Sequence, residues 1–120
     1  GLKVNKYRDV INLINKTNID LVASFILGAP GESENTLTET KDFIESSNFK
    51  TCCACILTPL PGSKLFSRLV TMKPDLKYED DLNLDELREF YVGNFCDVNF
   101  QRITEINKQI ERLYQSLDLF

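Results

Sequence analysis

Histidine is absent from the 120-residue sequence. That removes the commonest general base and the commonest metal ligand together. No apolar run approaches the roughly 20 residues that span a bilayer, so no membrane partner is expected. No basic, apolar leader ending in small residues opens the chain. There is no dense Lys/Arg cluster, and the net charge is -4. Phosphate contacts need concentrated positive charge, so nucleic acid is not an expected partner either. No Gly-Lys-Ser/Thr follows the glycines, and G-x-G-x-x-G does not occur, which excludes the two common nucleotide cradles.

What is present is ordinary for a soluble globular protein: 42% hydrophobic and 27% charged residues. The length fits one compact unit. The four cysteines are Cys52, Cys53, Cys55 and Cys96. Without a leader, reduced thiols and a cytoplasmic location are the expectation. The chain begins with Gly1, consistent with a trimmed initiator or with a piece of something longer.

Tyr7, Val10, Ile11 and Ile14 share one face of a helix predicted over 5–15. Leu21 to Leu27 is nearly all apolar with no polar alternation. A strand covered on both faces reads this way, and such strands are usually parallel. Gly28-Ala29-Pro30-Gly31-Glu32 then turns the chain. Ser33 is the expected N-cap of a helix reaching Ser46 or Ser47, with Glu34 and Glu39 near its positive end. Leu37, Thr40, Phe43 and Ile44 form its inward face. A second apolar strand is expected over Thr51 to Leu57. Strand, helix and strand at this spacing make one right-handed βαβ unit, so the fold class is α/β.

Pro59 and Pro61 stop the sheet, and a short helix is expected over 63–69. Lys73 to Asp81 reads as a loop. Its Asp75, Glu79, Asp80 and Asp81 fit a solvated surface better than a calcium site, because the loop glycine and ligand spacing of such sites are missing. A helix is predicted over 84–95. In the last helix Ile103, Ile106, Ile110, Leu113 and Leu117 step by 3, 4, 3 and 4. Packing on its own domain is the favoured reading of that stripe over a coiled coil.

The turn after the first strand has two readings. Gly28 and Gly31 permit a close approach by a ligand, or they only close a tight βα connection. Cys52, Cys53 and Cys55 read as small core hydrophobes rather than ligands. In an extended strand Cys53 and Cys55 face one side and Cys52 the other, so three thiolates cannot converge on one centre.

"FILGAPGES" followed by "ILTPLPGSKLF" resembles the carboxyl-terminal half of radical S-adenosylmethionine enzymes. The nearest likeness is to the group with cobalamin-binding-domain members and Mg-protoporphyrin ester cyclase-like proteins. The match covers Leu21 to Phe66. The resemblance implies a βαβ fragment of a partial (β/α)6 TIM-like barrel over 1–72, with a carboxyl-terminal helical extension over 73–120. It implies that Ile26 contacts the adenine of S-adenosylmethionine, that Gly28 allows its close approach, and that the backbone at Thr58 and Pro59 meets its edge. Glu32 would brace the turn, or simply favour the helix dipole. The family's Cys-x-x-x-Cys-x-x-Cys loop, which holds the [4Fe–4S] cluster, is not in this sequence. Without the cluster no electron reaches S-adenosylmethionine.

The chain therefore reads as a fragment of an iron–sulfur oxidoreductase or transferase, inactive alone and with no cofactor of its own. The parent would use S-adenosylmethionine and [4Fe–4S], with cobalamin as a further candidate. The fragment's partner would be the upstream half of the barrel, and the parent would act on a small-molecule substrate that the residues do not identify. Two open sheet edges predict that the isolated chain forms a homodimer. The alternative is a stand-alone α/β binding or protein-interaction module without catalysis.

Overall fold

The computed structural model describes residues 4–78 and 83–114. Helix α1 (Val4–Asn15) leads to strand β1 (Val22–Leu27), helix α2 (Glu34–Glu45) and strand β2 (Thr51–Ile56). Helix α3 (Lys64–Met72), a 3-10 turn (Pro74–Tyr78), α4 (Leu84–Phe95) and α5 (Phe100–Leu113) follow. The two strands pair in parallel, with Val22 opposite Thr51 and Leu27 opposite Ile56. The βαβ unit is thus present and the chain is α/β, with five α-helices and a two-stranded sheet among the described residues.

Local chemistry sets the boundaries. Ser33, Ser63, Asn83 and Asn99 each cap a helix by accepting a backbone N–H at the third position beyond. Ser33 and Thr36 close a reciprocal capping box on α2. The segment after Lys73 is not a plain loop, because Pro74 to Tyr78 winds into a 3-10 turn. Asp75 within it is exposed, while Glu79, Asp80 and Asp81 lie outside the described residues.

The core lies on one side of the sheet. Phe25 of β1 meets Phe43 of α2 and Phe49, with ring centroids 6.1 and 6.0 Å apart. Helix α5 packs against β2, α2 and α4. Its Ile103, Ile106 and Ile110 are buried, so most of the heptad-like stripe serves this chain's own core. Each such burial is worth about 1.5–3 kcal/mol. Leu113 is exposed and Leu117 lies outside the described residues.

The other side of the sheet departs from expectation. The strands are not covered on both faces: Val22 is 61% and Ile26 65% exposed, with Ser24 exposed between them. Their register partners Cys53 and Cys55 are exposed as well. Only Cys52 takes the core role expected of all three cysteines, because it alone points to the covered face. Helix α1 departs in the same way. Ile11 is buried, whereas Tyr7 and Val10 of its predicted inward face are exposed, together with Val4 and Leu13.

Candidate functional site

The carboxyl ends of the two strands bring the candidate residues together. The ladder runs one step past the strands, where the Leu57 N–H donates to the Leu27 carbonyl at 2.8 Å. Gly28 and Thr58 therefore follow at the same level. Gly28 and Gly31 hold φ of +88° and +85°, the left-handed region that glycine enters without cost to a side chain.

The turn is closed upon itself. The buried carboxylate of Glu32 accepts the Gly28 N–H at 3.1 Å through Oε1 and the Thr36 hydroxyl through Oε2. The Glu32 N–H donates to the Ala29 carbonyl at 2.9 Å, and the Ser33 N–H to Thr36 Oγ1 at 2.8 Å. The Gly31 N–H donates at 2.7 Å to the carbonyl of Phe95, and the Asp97 N–H donates at 2.7 Å to the carbonyl of Glu32. The N–H groups of Gly28, Gly31, Glu32 and Ser33 are thus all engaged. Those four donors are unavailable to an anion.

Each predicted residue has a distinct setting. Ile26 offers its side chain on the uncovered face of β1. At Gly28 a Cβ would meet Ile103 Cδ1 at 3.7 Å and Ile56 Cγ2 at 3.9 Å, ordinary contacts inside the chain's own packing. Glycine is required there by φ, not by crowding. Thr58 Oγ1 accepts from Arg88 Nε at 2.7 Å, and Pro59 is buried.

Three neighbours were not evident in the sequence. Arg88 reaches Thr58 from α4 and pairs with Asp85 at 3.1 Å. In the run "LDELREF" it looks like a solvated helix charge. Cys96 donates its thiol to the carbonyls of Gly28 and Ala29, each at 3.6 Å, and burial pushes that thiol up. Phe95 contributes only a backbone carbonyl, for which no side-chain signal exists. A cavity of about 490 Å³ lies elsewhere, between α1 and α2, lined by Tyr7, Arg8, Phe25 and Phe43.

The cysteines do not fit an iron–sulfur cluster. Cys52 faces the core while Cys53 and Cys55 face the opposite side, and no group of three Cys, Asp or Glu converges among the described residues.

The chain is similar to several curated tRNA-2-methylthio-N(6)-dimethylallyladenosine synthases. That of Rickettsia felis is 29% identical over 114 residues, which cover 87% of this chain and 26% of that protein. That of Buchnera aphidicola is 28% identical over 91 residues, covering 74% and 19%. That of Shewanella halifaxensis is 30% identical over 86 residues, covering 70% and 16%. The chain thus spans about a quarter or less of the length of these relatives. No protein-family model matches it, and no solved structure does. No helix among the described residues is long and apolar enough to cross a membrane.

Proposed function

We propose that the chain is part of a radical S-adenosylmethionine iron–sulfur enzyme, the class to which its curated relatives belong. One observation carries this reading. Val4, Tyr7, Val10, Leu13, Ile19, Val22 and Ile26 are all exposed, and all belong to the segment from α1 through β1. Exposed apolar residues gathered in one segment mark an interface. The outer edge of β1 pairs with no strand among the described residues. Further barrel strands, added at that edge from the upstream half, would cover both features at once. The uncovered face of Val22, Ser24 and Ile26 would then line the barrel interior.

In this reading residues 1–72 belong to the partial barrel and 73–120 form its helical extension. Ile26 and the backbone at Gly28, Thr58 and Pro59 form one wall of the S-adenosylmethionine site. The cluster would supply the electron that cleaves S-adenosylmethionine, and its cysteine ligands would come from the upstream half. This chain's own groups orient and exclude water: Glu32 fixes the turn, and Arg88 fixes Thr58. The names of the relatives favour a methylthiolating transferase parent over the cyclase-like or cobalamin-dependent one. The net charge of -4 argues that tRNA would be gripped elsewhere in such a parent.

The coding sequence upstream of Gly1 tests the proposal. A Cys-x-x-x-Cys-x-x-Cys motif in the same reading frame is the expected result. An in-frame stop codon directly upstream would overturn it and leave the stand-alone module, with the same apolar surface serving a second copy of the chain.

A further inference from the structure

Cys53 and Cys55 stand two residues apart on the uncovered face of β2. Both are exposed free thiols. Across the ladder, Ser24 Oγ lies 3.2 Å from Cys53 Sγ. A strand advances about 3.3 Å per residue, which sets the two Cβ atoms about 6.6 Å apart. A disulfide needs Cβ atoms about 3.5–4.5 Å apart. The two thiols therefore cannot bond to each other without displacing the strand, and they persist as a dithiol.

The same spacing suits a metal. Metal–thiolate bonds of about 2.3 Å place two sulfurs about 4.6 Å apart across a linear centre. Rotation of the two side chains toward each other closes that gap. No histidine exists in the chain, and no third Cys, Asp or Glu joins the pair among the described residues. Tetrahedral zinc and iron–sulfur clusters thus lack ligands here. Soft thiolates in low coordination select Cu(I).

We propose that Cys53 and Cys55 form a two-coordinate binding site for a soft monovalent cation of the Cu(I) class. Two metal–sulfur bonds form on binding, and both thiol protons pass to solvent. The copper stays Cu(I), and the centre carries one negative charge. The Ser24 hydroxyl is placed to donate to the Cys53 thiolate, stabilising that charge. Cys52 lies on the opposite face and Cys96 sits alone beside the Gly28 and Ala29 carbonyls, so neither completes a competing pair. The site uses residues of β1 and β2 only and does not rest on the barrel reading.

Anaerobic titration of the full chain with Cu(I) against a chromogenic Cu(I) chelator tests it, with circular dichroism confirming that each variant is folded. One Cu(I) per chain is expected, with no displacement by Zn(II). Cys53→Ser and Cys55→Ser should each weaken binding by more than about 100-fold, beyond the roughly 10–100-fold that loss of an outer partner causes. Ser24→Ala should fall within that lower range. Cys52→Ala should leave the affinity unchanged, and Cys96→Ser supplies the same control if Cys52→Ala loses its fold. The proposal is overturned if the chain takes no Cu(I) from the chelator. It is equally overturned if Cys53→Ser and Cys55→Ser bind like the unaltered chain, or if Cys96→Ser weakens binding as much as they do.

Discussion

Glu32 and Gly28 hold each other in place: the carboxylate of Glu32 accepts the Gly28 N–H at 3.1 Å, and both residues are buried. The side chain of one residue thereby satisfies the backbone of another whose φ of +88° only glycine adopts easily. The same carboxylate takes the Thr36 hydroxyl of α2, so strand end, turn and helix start are tied by one group.

Removing that group should be costly. Glu32→Ala leaves the Gly28 N–H without its acceptor and is expected to cost about 1–3 kcal/mol. Thr36→Val keeps the Gly28 bond and should cost less. Urea unfolding midpoints for the two variants provide the comparison. Equal losses would mean that Glu32 acts through the helix cap and not through the turn.

Tyr91 gives a prediction with a pH sign. Its hydroxyl is buried without a hydrogen-bond partner among the described residues, and its ring stacks on Phe95 at 5.3 Å. Burial pushes its phenol up to about 12 from the ordinary 10.0. Burial likewise pushes the Cys52 thiol up to about 11 from 9.0. Above the ordinary values the unfolded chain releases these protons first, so both contributions are intact below them. Stability should fall from pH 9.0 toward about 11 through Cys52, and from pH 10.0 toward about 12 through Tyr91. Tyr91→Phe removes the orphan hydroxyl and should stabilise by about 1 kcal/mol near neutral pH. It should also shrink the alkaline loss. Urea unfolding of both proteins across that range reads both effects, and a destabilised Tyr91→Phe would refute them.

The exposed apolar segment predicts self-association of the isolated chain. Ile26 and Leu13 are 65% and 66% exposed, so Ile26→Lys and Leu13→Lys should change monomer stability by less than about 0.5 kcal/mol. Sedimentation equilibrium at tens of micromolar should show a concentration-dependent mass for the unaltered chain and a monomer for the double variant. A monomer throughout would mean that the chain shields its open edge and face alone.

Much of this fold was legible in the sequence because its signals are local. Ser33 placed one helix through capping, and the stepping of Ile103, Ile106 and Ile110 placed another through periodicity. The apolar run ending at Leu27 marked a strand for the same reason. What covers that strand was not legible. Apolar residues at Val22 and Ile26 record that a face is meant to be buried, but hydropathy does not name the covering element. Reading Cys53 and Cys55 as core residues failed on this point. Periodicity on α1 was equally ambiguous, since Val10 and Ile11 are both apolar and only Ile11 is buried. Around the candidate site, Arg88 and Phe95 escaped notice because their contacts span dozens of residues, and one of them is a backbone contact with no side-chain signature.

The paired bonds from Gly31 to Phe95 and from Asp97 to Glu32 act as a clasp. Two peptide segments more than sixty positions apart exchange one donor each, in the manner of a single rung of sheet. Opening either segment strips the other of a donor and an acceptor together. Fluctuations of the glycine turn are thereby coupled to those of the link between α4 and α5. A disturbance in the link between α4 and α5 would reach the strand ends through this clasp without any side chain moving.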